Sequence, residues 1–141
     1  VTMVVPYGPG ASNDTFTRAI GQVLSQSLGQ PFVVENRAGA GGFVGSNSVK
    51  IADPDGYTFL EAPSAICGLG PIGGMDLDVA ADLKPVGLIA TSPTAMVINA
   101  DIPANTVREF VEWAKANPDR AFYGFAGVGA TSPFTLSRAS A

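Results

Sequence analysis

Side chains able to do chemistry are few in this sequence, and most of them stand in loops. The chain contains no His and a single Cys, Cys67. Without imidazole there is no Ser-His-Asp or Cys-His nucleophile and no His-liganded zinc. One thiol forms neither an internal disulfide nor a Cys-rich metal site, so no metal and no cofactor is expected. Cys67 stands among Ile66, Gly68 and Leu69, where it reads as a small buried hydrophobe rather than a reactive thiol. The close acid pairs, Asp53 with Asp55 and Asp76 with Asp78, flank turns or loops and have no basic or nucleophilic neighbour in sequence. They read as solvated loop acids.

What remains is backbone. Three Gly-rich loops each follow an apolar run and lead toward a helix start: Tyr7-Gly8-Pro9-Gly10-Ala11-Ser12-Asn13, Arg37-Ala38-Gly39-Ala40-Gly41-Gly42, and Gly127-Val128-Gly129-Ala130-Thr131-Ser132. Free N–H groups and the positive end of a helix dipole attract an anion at such a place. Gly lets the backbone approach that anion, and its tolerance of positive φ lets successive N–H groups converge. The first loop carries no charged side chain. Anion capture without turnover is therefore the expected chemistry: a binder, not an enzyme.

The elements that must position these loops alternate. Met3-Val4-Val5-Pro6 reads as a buried strand. Asp14 is an N-cap candidate for a helix whose apolar face is Phe16, Ile20, Leu24 and Leu28 with Ala19 and Val23, closed by Gly29. A strand over Pro31–Glu35, a helix over Val44–Ala52 and a strand over Tyr57–Leu60 follow, with Pro54-Asp55-Gly56 as a turn. Ala62 to Asp82 reads as irregular. Val86–Ala90 and Ala95–Ile98 have strand character, broken by Thr91-Ser92-Pro93. Thr106-Val107-Arg108-Glu109 is a capping box for a helix stopped by Asn117-Pro118. Phe122–Ala126 reads as a further strand. This alternation predicts an α/β fold with a mainly parallel sheet flanked by helices.

Composition narrows the function classes. In 141 residues, 46% are hydrophobic and 14% charged, which suits a packed domain and not a disordered chain. The net charge of −4 and the lack of any Lys/Arg cluster argue against nucleic acid as a partner. No apolar run is long enough to cross a bilayer. A dinucleotide-binding α/β domain is an alternative, because Gly39 and Gly41 fit the first two fingerprint positions. Val44 occupies the third, with Gly45 one residue late, and no Gly-Lys pair supports a phosphate-binding loop. No signal peptide is visible at the start at Val1, which fits a chain whose signal peptide has been removed or trimmed as well as a cytoplasmic protein. The end, two turns into an apparent helix after Thr131-Ser132-Pro133, reads as the edge of an N-terminal piece of something longer.

Several segments together resemble one family. Val4-Val5-Pro6-Tyr7-Gly8-Pro9-Gly10-Ala11-Ser12-Asn13-Asp14, Val33 through Gly42, Ala52-Asp53-Pro54-Asp55-Gly56-Tyr57-Thr58, Ala114 through Pro118 and Tyr123 through Gly129 are similar, in order and spacing, to the Bug-type periplasmic receptors of tripartite tricarboxylate transporters. The resemblance implies a periplasmic binding protein type II-like architecture that closes over its ligand. Residues 1–98 would be a first lobe, incomplete without further chain, and 99–141 the start of a second lobe only partly present. It implies a small organic carboxylate as ligand, held largely by backbone amides and ordered water, and membrane permease subunits as partners. The matching positions are Tyr7 to Asp14 and Gly127 to Ser132, with Ser64 and Thr91-Ser92 as weaker candidates. The family commonly has Gly-Gly where this chain has Gly10-Ala11, and often a His where it has Phe134, which takes away a donor. Tyr7 either stacks on ligand or roofs its loop, and Asp14 either contacts ligand or serves as a cap. Arg37 beside Glu35 could attract an anion but reads better as a surface ion pair or a structural hydrogen bond to the loop. Trp113 reads as packing or interface. Were the chain a truncated remnant instead, its exposed apolar surface would drive self-association.

Overall fold

The computed structural model describes residues 1–121 apart from Ser92 and Thr94. The expected strand at Phe122–Ala126, the loop Gly127–Ser132 and the helix start beyond it lie outside the described residues. Met3, Val4, Val5 and Pro6 are buried, and an uninterrupted apolar run of this kind belongs in the middle of a parallel sheet. Strand β1 (Thr2–Val5) indeed lies between β2 (Val33–Asn36) and β3 (Thr58–Leu60), parallel to both. Thr2 stands opposite Val33 and Thr58, and Val4 opposite Glu35 and Leu60.

Helix α1 (Ser12–Leu28) connects β1 to β2, and α2 (Phe43–Lys50) connects β2 to β3. Parallel strands joined by right-handed crossovers place these helices on opposite faces of the sheet. Accordingly α1 packs on β1 and β2, and α2 on β1 and β3. Gly29 ends α1 in the left-handed region at φ 66°, its N–H bonded to the Ser25 carbonyl, as the sequence predicts.

Which face of α1 is buried differs from the expectation. Asp14, Thr17 and Gly21 face inward, whereas Phe16, Val23 and Leu28 are exposed. Small and polar residues win because the sheet comes close. A Cβ on Gly21 would already stand 3.4 Å from the Met3 sulfur. The Thr17 hydroxyl donates to the Asn13 carbonyl at 2.6 Å, and the Ser25 hydroxyl accepts the Phe32 N–H at 2.9 Å. These inward polar atoms are thereby satisfied, which removes the penalty that would otherwise keep them outside.

The segment expected to be irregular holds its own small core. A 3-10 turn at Ser64–Gly68 buries Ile66, which clusters with Leu69 and Leu77 against Phe43 and Leu60. Its three-residue period turns positions 66 and 69 inward and Cys67 outward. Cys67 is consequently exposed, not buried. Asp78 caps the short helix α3 (Val79–Asp82) by accepting from Ala80 and Ala81 N–H. Lys50 ties the segment to α2 through Asp76 at 3.3 Å and Asp82 at 3.0 Å.

Beyond α3, no strand forms over residues 86–90 or 95–98. Val86, Leu88 and Val97 are 81%, 83% and 92% exposed. A strand's hydrogen bonds belong to its neighbour, and among the described residues no strand pairs with these runs. Helix α4 (Val107–Ala116) starts as predicted, with Glu109 N–H donating to the Thr106 hydroxyl at 3.2 Å. The Glu109 carboxylate reaches back to Asn105 N–H at 2.7 Å. Trp113 stacks on Phe110, and the Arg120 guanidinium lies 6.0 Å from its ring centre.

One contact fixes how closely α2 lies against the end of β1. A Cβ on Gly45 would stand 2.7 Å from the Pro6 Cα and 2.9 Å from the Arg37 carbonyl oxygen. Both are backbone and cannot rotate away. Gly45→Ala is therefore expected to destabilise the fold by about 1–3 kcal/mol in urea titration, the usual range for overpacking. Gly8→Ala, where a Cβ meets nothing within 4 Å, should stay within about 0.5 kcal/mol of the parent.

Candidate functional site

In an open parallel sheet, ligands gather outside the carboxyl ends of the strands where the connections diverge to opposite sides. The order β2-β1-β3 puts that point between β1 and β3. Two segments meet there: residues 6–13 after β1 and residues 61–64 after β3.

The first segment ends at the amino terminus of α1. Ala11 occupies the N-cap position in extended conformation and has no side chain with which to cap. The first helical bond runs from Thr15 N–H to the Ala11 carbonyl at 3.0 Å, which leaves the N–H groups of Ser12 and Asn13 without an intrahelical acceptor. Among the described residues no side chain caps them. The Ser12 hydroxyl instead faces Asn13 Oδ1 at 3.4 Å, and the Thr15 hydroxyl donates to the Ala11 carbonyl at 3.2 Å. Gly8, Pro9, Gly10, Ala11 and Ser12 are all exposed. The result is an open turn with an uncapped helix dipole behind it, a place suited to an anion.

Asp14 has a different position from the one expected. It is not the N-cap but the third residue of the helix, which begins two positions earlier. The cause is local: its carboxylate folds back to accept the Gly10 N–H at 2.9 Å. This bond holds Gly10 at φ 85°, a conformation that Gly tolerates at no steric cost. The other oxygen accepts from Asn36 Nδ2 at 3.0 Å and pairs with Arg18 at 2.9 Å. Asn36 also donates to the Tyr7 carbonyl at 3.1 Å, and Arg18 to Asn36 Oδ1 at 2.9 Å. Asp14 is only 4% exposed, so its role lies in holding the turn. The Arg18 and Gly10 hydrogen bonds lower its pKa to about 2.

Tyr7 is half-buried and roofs the second Gly-rich loop, its hydroxyl donating to the Gly41 carbonyl at 3.3 Å. Burial, with the nearby Glu61 charge, pushes its phenol above the ordinary range. That second loop is shaped by packing: Gly42, at φ 105°, lies buried under the Tyr7 ring. Arg37 pairs with Glu35 at 2.7 Å, as expected. Asp55 accepts the Tyr57 N–H within its turn.

Sequence reasoning did not single out Glu61. It is the first residue past β3, and both carboxylate oxygens accept from Asn13 Nδ2 at 2.9 Å. This bond bridges the two loops across the divergence point. Partial burial raises the Glu61 pKa, and the Asn13 bond opposes that rise. The available signal was topological: the residue after a strand that neighbours β1 must stand on this edge. Ser64 lies exposed three residues on. Thr91 is exposed in the segment without regular structure, while Ser92 and Gly127, Val128, Gly129, Ala130, Thr131 and Ser132 lie outside the described residues. Among the described residues no group of acids and Cys could hold a metal ion. A shallow groove lined by Val107, Arg108, Val111, Glu112 and Lys115 follows one face of α4.

Residues 16–139 match the family model described as Tripartite tricarboxylate transporter family receptor. The chain belongs to that family. Among curated relatives it is 34% identical over 133 residues to a UPF0065 protein of Bordetella pertussis and 35% identical over 133 residues to BugT of the same organism. These alignments cover 94% and 92% of this chain but 41% and 40% of the relatives, so the chain spans about two-fifths of their length. Among solved structures it is similar to MatC of Rhodopseudomonas palustris with bound malate, at TM-score 0.82 and 30% identity over 98% of this chain and 49% of that one. A second R. palustris protein, solved with adipate, aligns at TM-score 0.80 and 33% identity over 93% of this chain and 44% of that one. The periplasmic binding protein BugD aligns at TM-score 0.74 and 28% identity over 100% of this chain and 49% of that one. The fold is accordingly that of a periplasmic binding protein lobe, over about half the length of those chains. No helix among the described residues is long and apolar enough to cross a membrane.

The Asp14 network makes a pH-dependent contribution with a definite sign. A carboxylate whose folded pKa lies below its ordinary value stabilises the fold above that ordinary value and loses the effect as pH falls through the folded one. For Asp14 the window runs from 3.8 down to about 2. Asp14→Asn should be less stable than the parent at pH 7, and the gap should narrow through that window in urea titrations at stepped pH.

Proposed function

We propose that this chain is part of a periplasmic receptor that captures a small organic carboxylate and presents it to the membrane subunits of a tripartite tricarboxylate-type transporter. The observation that carries this reading is the uncapped amino terminus of α1 at the divergence of β1 and β3, with Ser12 and Asn13 N–H groups free of side-chain acceptors among the described residues. Family membership supports it, as do the acids held by two similar structures, malate in one and adipate in the other. On this reading residues 1–98 form most of the first lobe and 99–141 open the second. Gly127–Ser132, outside the described residues, remains a candidate for further ligand contacts on this reading.

The proposal includes binding without turnover. The chain has no imidazole, and the titratable groups nearest the turn are engaged in holding it, Asp14 to Gly10, Arg18 and Asn36, and Glu61 to Asn13. A ligand at about a hundred times its dissociation constant adds about 2.7 kcal/mol of stability.

In the intact protein, a panel of di- and tricarboxylates should therefore contain at least one acid that raises the unfolding midpoint. Gly10→Val should cost about 1–2 kcal/mol, because a branched residue is strained at positive φ. It should also abolish the ligand-induced shift, since the new side chain projects into the open space before the turn. A full panel that moves no midpoint, or an acid consumed during incubation, would overturn the proposal.

A further inference from the structure

We infer that Asp55 is a site of spontaneous covalent modification, where the Asp55–Gly56 peptide passes through a succinimide and reopens as isoaspartate, loosening the start of β3. The inference is independent of the carboxylate-receptor reading.

Asp55 stands in the turn between α2 and β3, and no other Asp or Asn in the chain is followed by Gly. A following side chain hinders approach to the peptide nitrogen, and Gly has none. Residues 53–57 are exposed, and a Cβ on Gly56 would meet nothing within 4 Å. The nitrogen is therefore open to its neighbour and to water. Asp55 Oδ1 accepts the Tyr57 N–H at 2.9 Å, which makes this an Asx turn. The ring closed by that bond runs through the Gly56 nitrogen, so the carboxyl group is folded back along the peptide with which it would react. Other acids are engaged elsewhere. Asp14 is buried under Gly10, Arg18 and Asn36, Asp82 pairs with Lys50, and Asp78 caps α3.

The reaction needs only water and protons. The Gly56 nitrogen bonds to Asp55 Cγ, and one carboxyl oxygen leaves as water, taking the N–H proton and one from solvent. Water then opens the five-membered imide. Cleavage of the new Cγ–N bond restores aspartate, whereas cleavage of the original peptide C–N bond gives isoaspartate. In the second product the chain runs through Cγ and gains one backbone atom. The Tyr57 N–H loses its acceptor as the turn is rebuilt. The Tyr57 carbonyl, which accepts the Thr2 N–H at 2.7 Å where β3 joins β1, is displaced with it.

The test is ageing of the intact, folded protein at neutral pH and physiological temperature in heavy-oxygen water, followed by peptide mapping with electron-transfer fragmentation. Isoaspartate and heavy oxygen should accumulate at Asp55 and at no other acid. Asp55→Asn, which expels ammonia in place of water and keeps an acceptor for Tyr57, should convert faster. Asp55→Glu, which would have to close a six-membered ring, should show at least ten-fold less. The isoaspartate form, separated by ion exchange, should unfold at lower urea than the parent. Conversion in the urea-unfolded chain but not in the folded one would overturn the inference, because the native turn would then protect the peptide. An isoaspartate form with the parent's urea midpoint would overturn the effect assigned to β3.

Discussion

The buried carboxylate of Asp14 holds the β1–α1 turn in its working shape. Three donors converge on it from three directions: a backbone N–H in the turn, a guanidinium one helical turn later, and an amide at the end of β2. Without it the Gly10 N–H would lose its acceptor and the turn would lose its tie to the edge strand. Because Asp14 meets the turn from below, the exposed side of Gly8 to Ser12 remains free of side-chain charge. A negative residue can in this way build an anion site, its own charge being neutralised by Arg18.

Close packing extends the same constraint to the opposite face. Gly45 lets α2 press onto Pro6 and the Arg37 carbonyl, and Gly42 lets the Tyr7 side chain pack against the second loop. The turn after β1 is thus fixed from α1 on one side and α2 on the other. The Gly39–Gly45 run accordingly has a packing role in place of the dinucleotide fingerprint that its spacing half matches. Rigidity of this sort suits a site built from backbone, where donors cannot adjust by changing rotamer.

Much of the architecture was legible because its signals are local. Strand β1 announces itself by an unbroken apolar run, α4 by its Thr106 cap and α1 by Gly29. The exposed turn from Gly8 to Ser12 was also legible, since Gly and the absence of charge are properties of the sequence itself. Misreadings came where a tertiary contact decides. The buried face of α1 follows from satisfied hydroxyls at Thr17 and Ser25, which apolar periodicity does not register. Cys67 turns outward because a 3-10 period, not an extended one, governs Ser64–Gly68. Residues 86–90 and 95–98 have strand composition but pair with no strand among the described residues. Glu61 went unnoticed because its meaning depends on β3 lying beside β1, a fact of topology rather than of spacing.

If the site works as described, backbone N–H groups at the start of α1 receive a ligand carboxylate. Amide chemical-shift mapping of the intact, isotope-labelled protein during titration with a carboxylate that binds reads those groups one by one. The Ser12 and Asn13 amide protons, within the turn spanning residues 8–13, are predicted to show the large downfield shifts of new hydrogen bonds to an anion. Saturable binding that leaves those two amides unmoved would contradict this picture of the site.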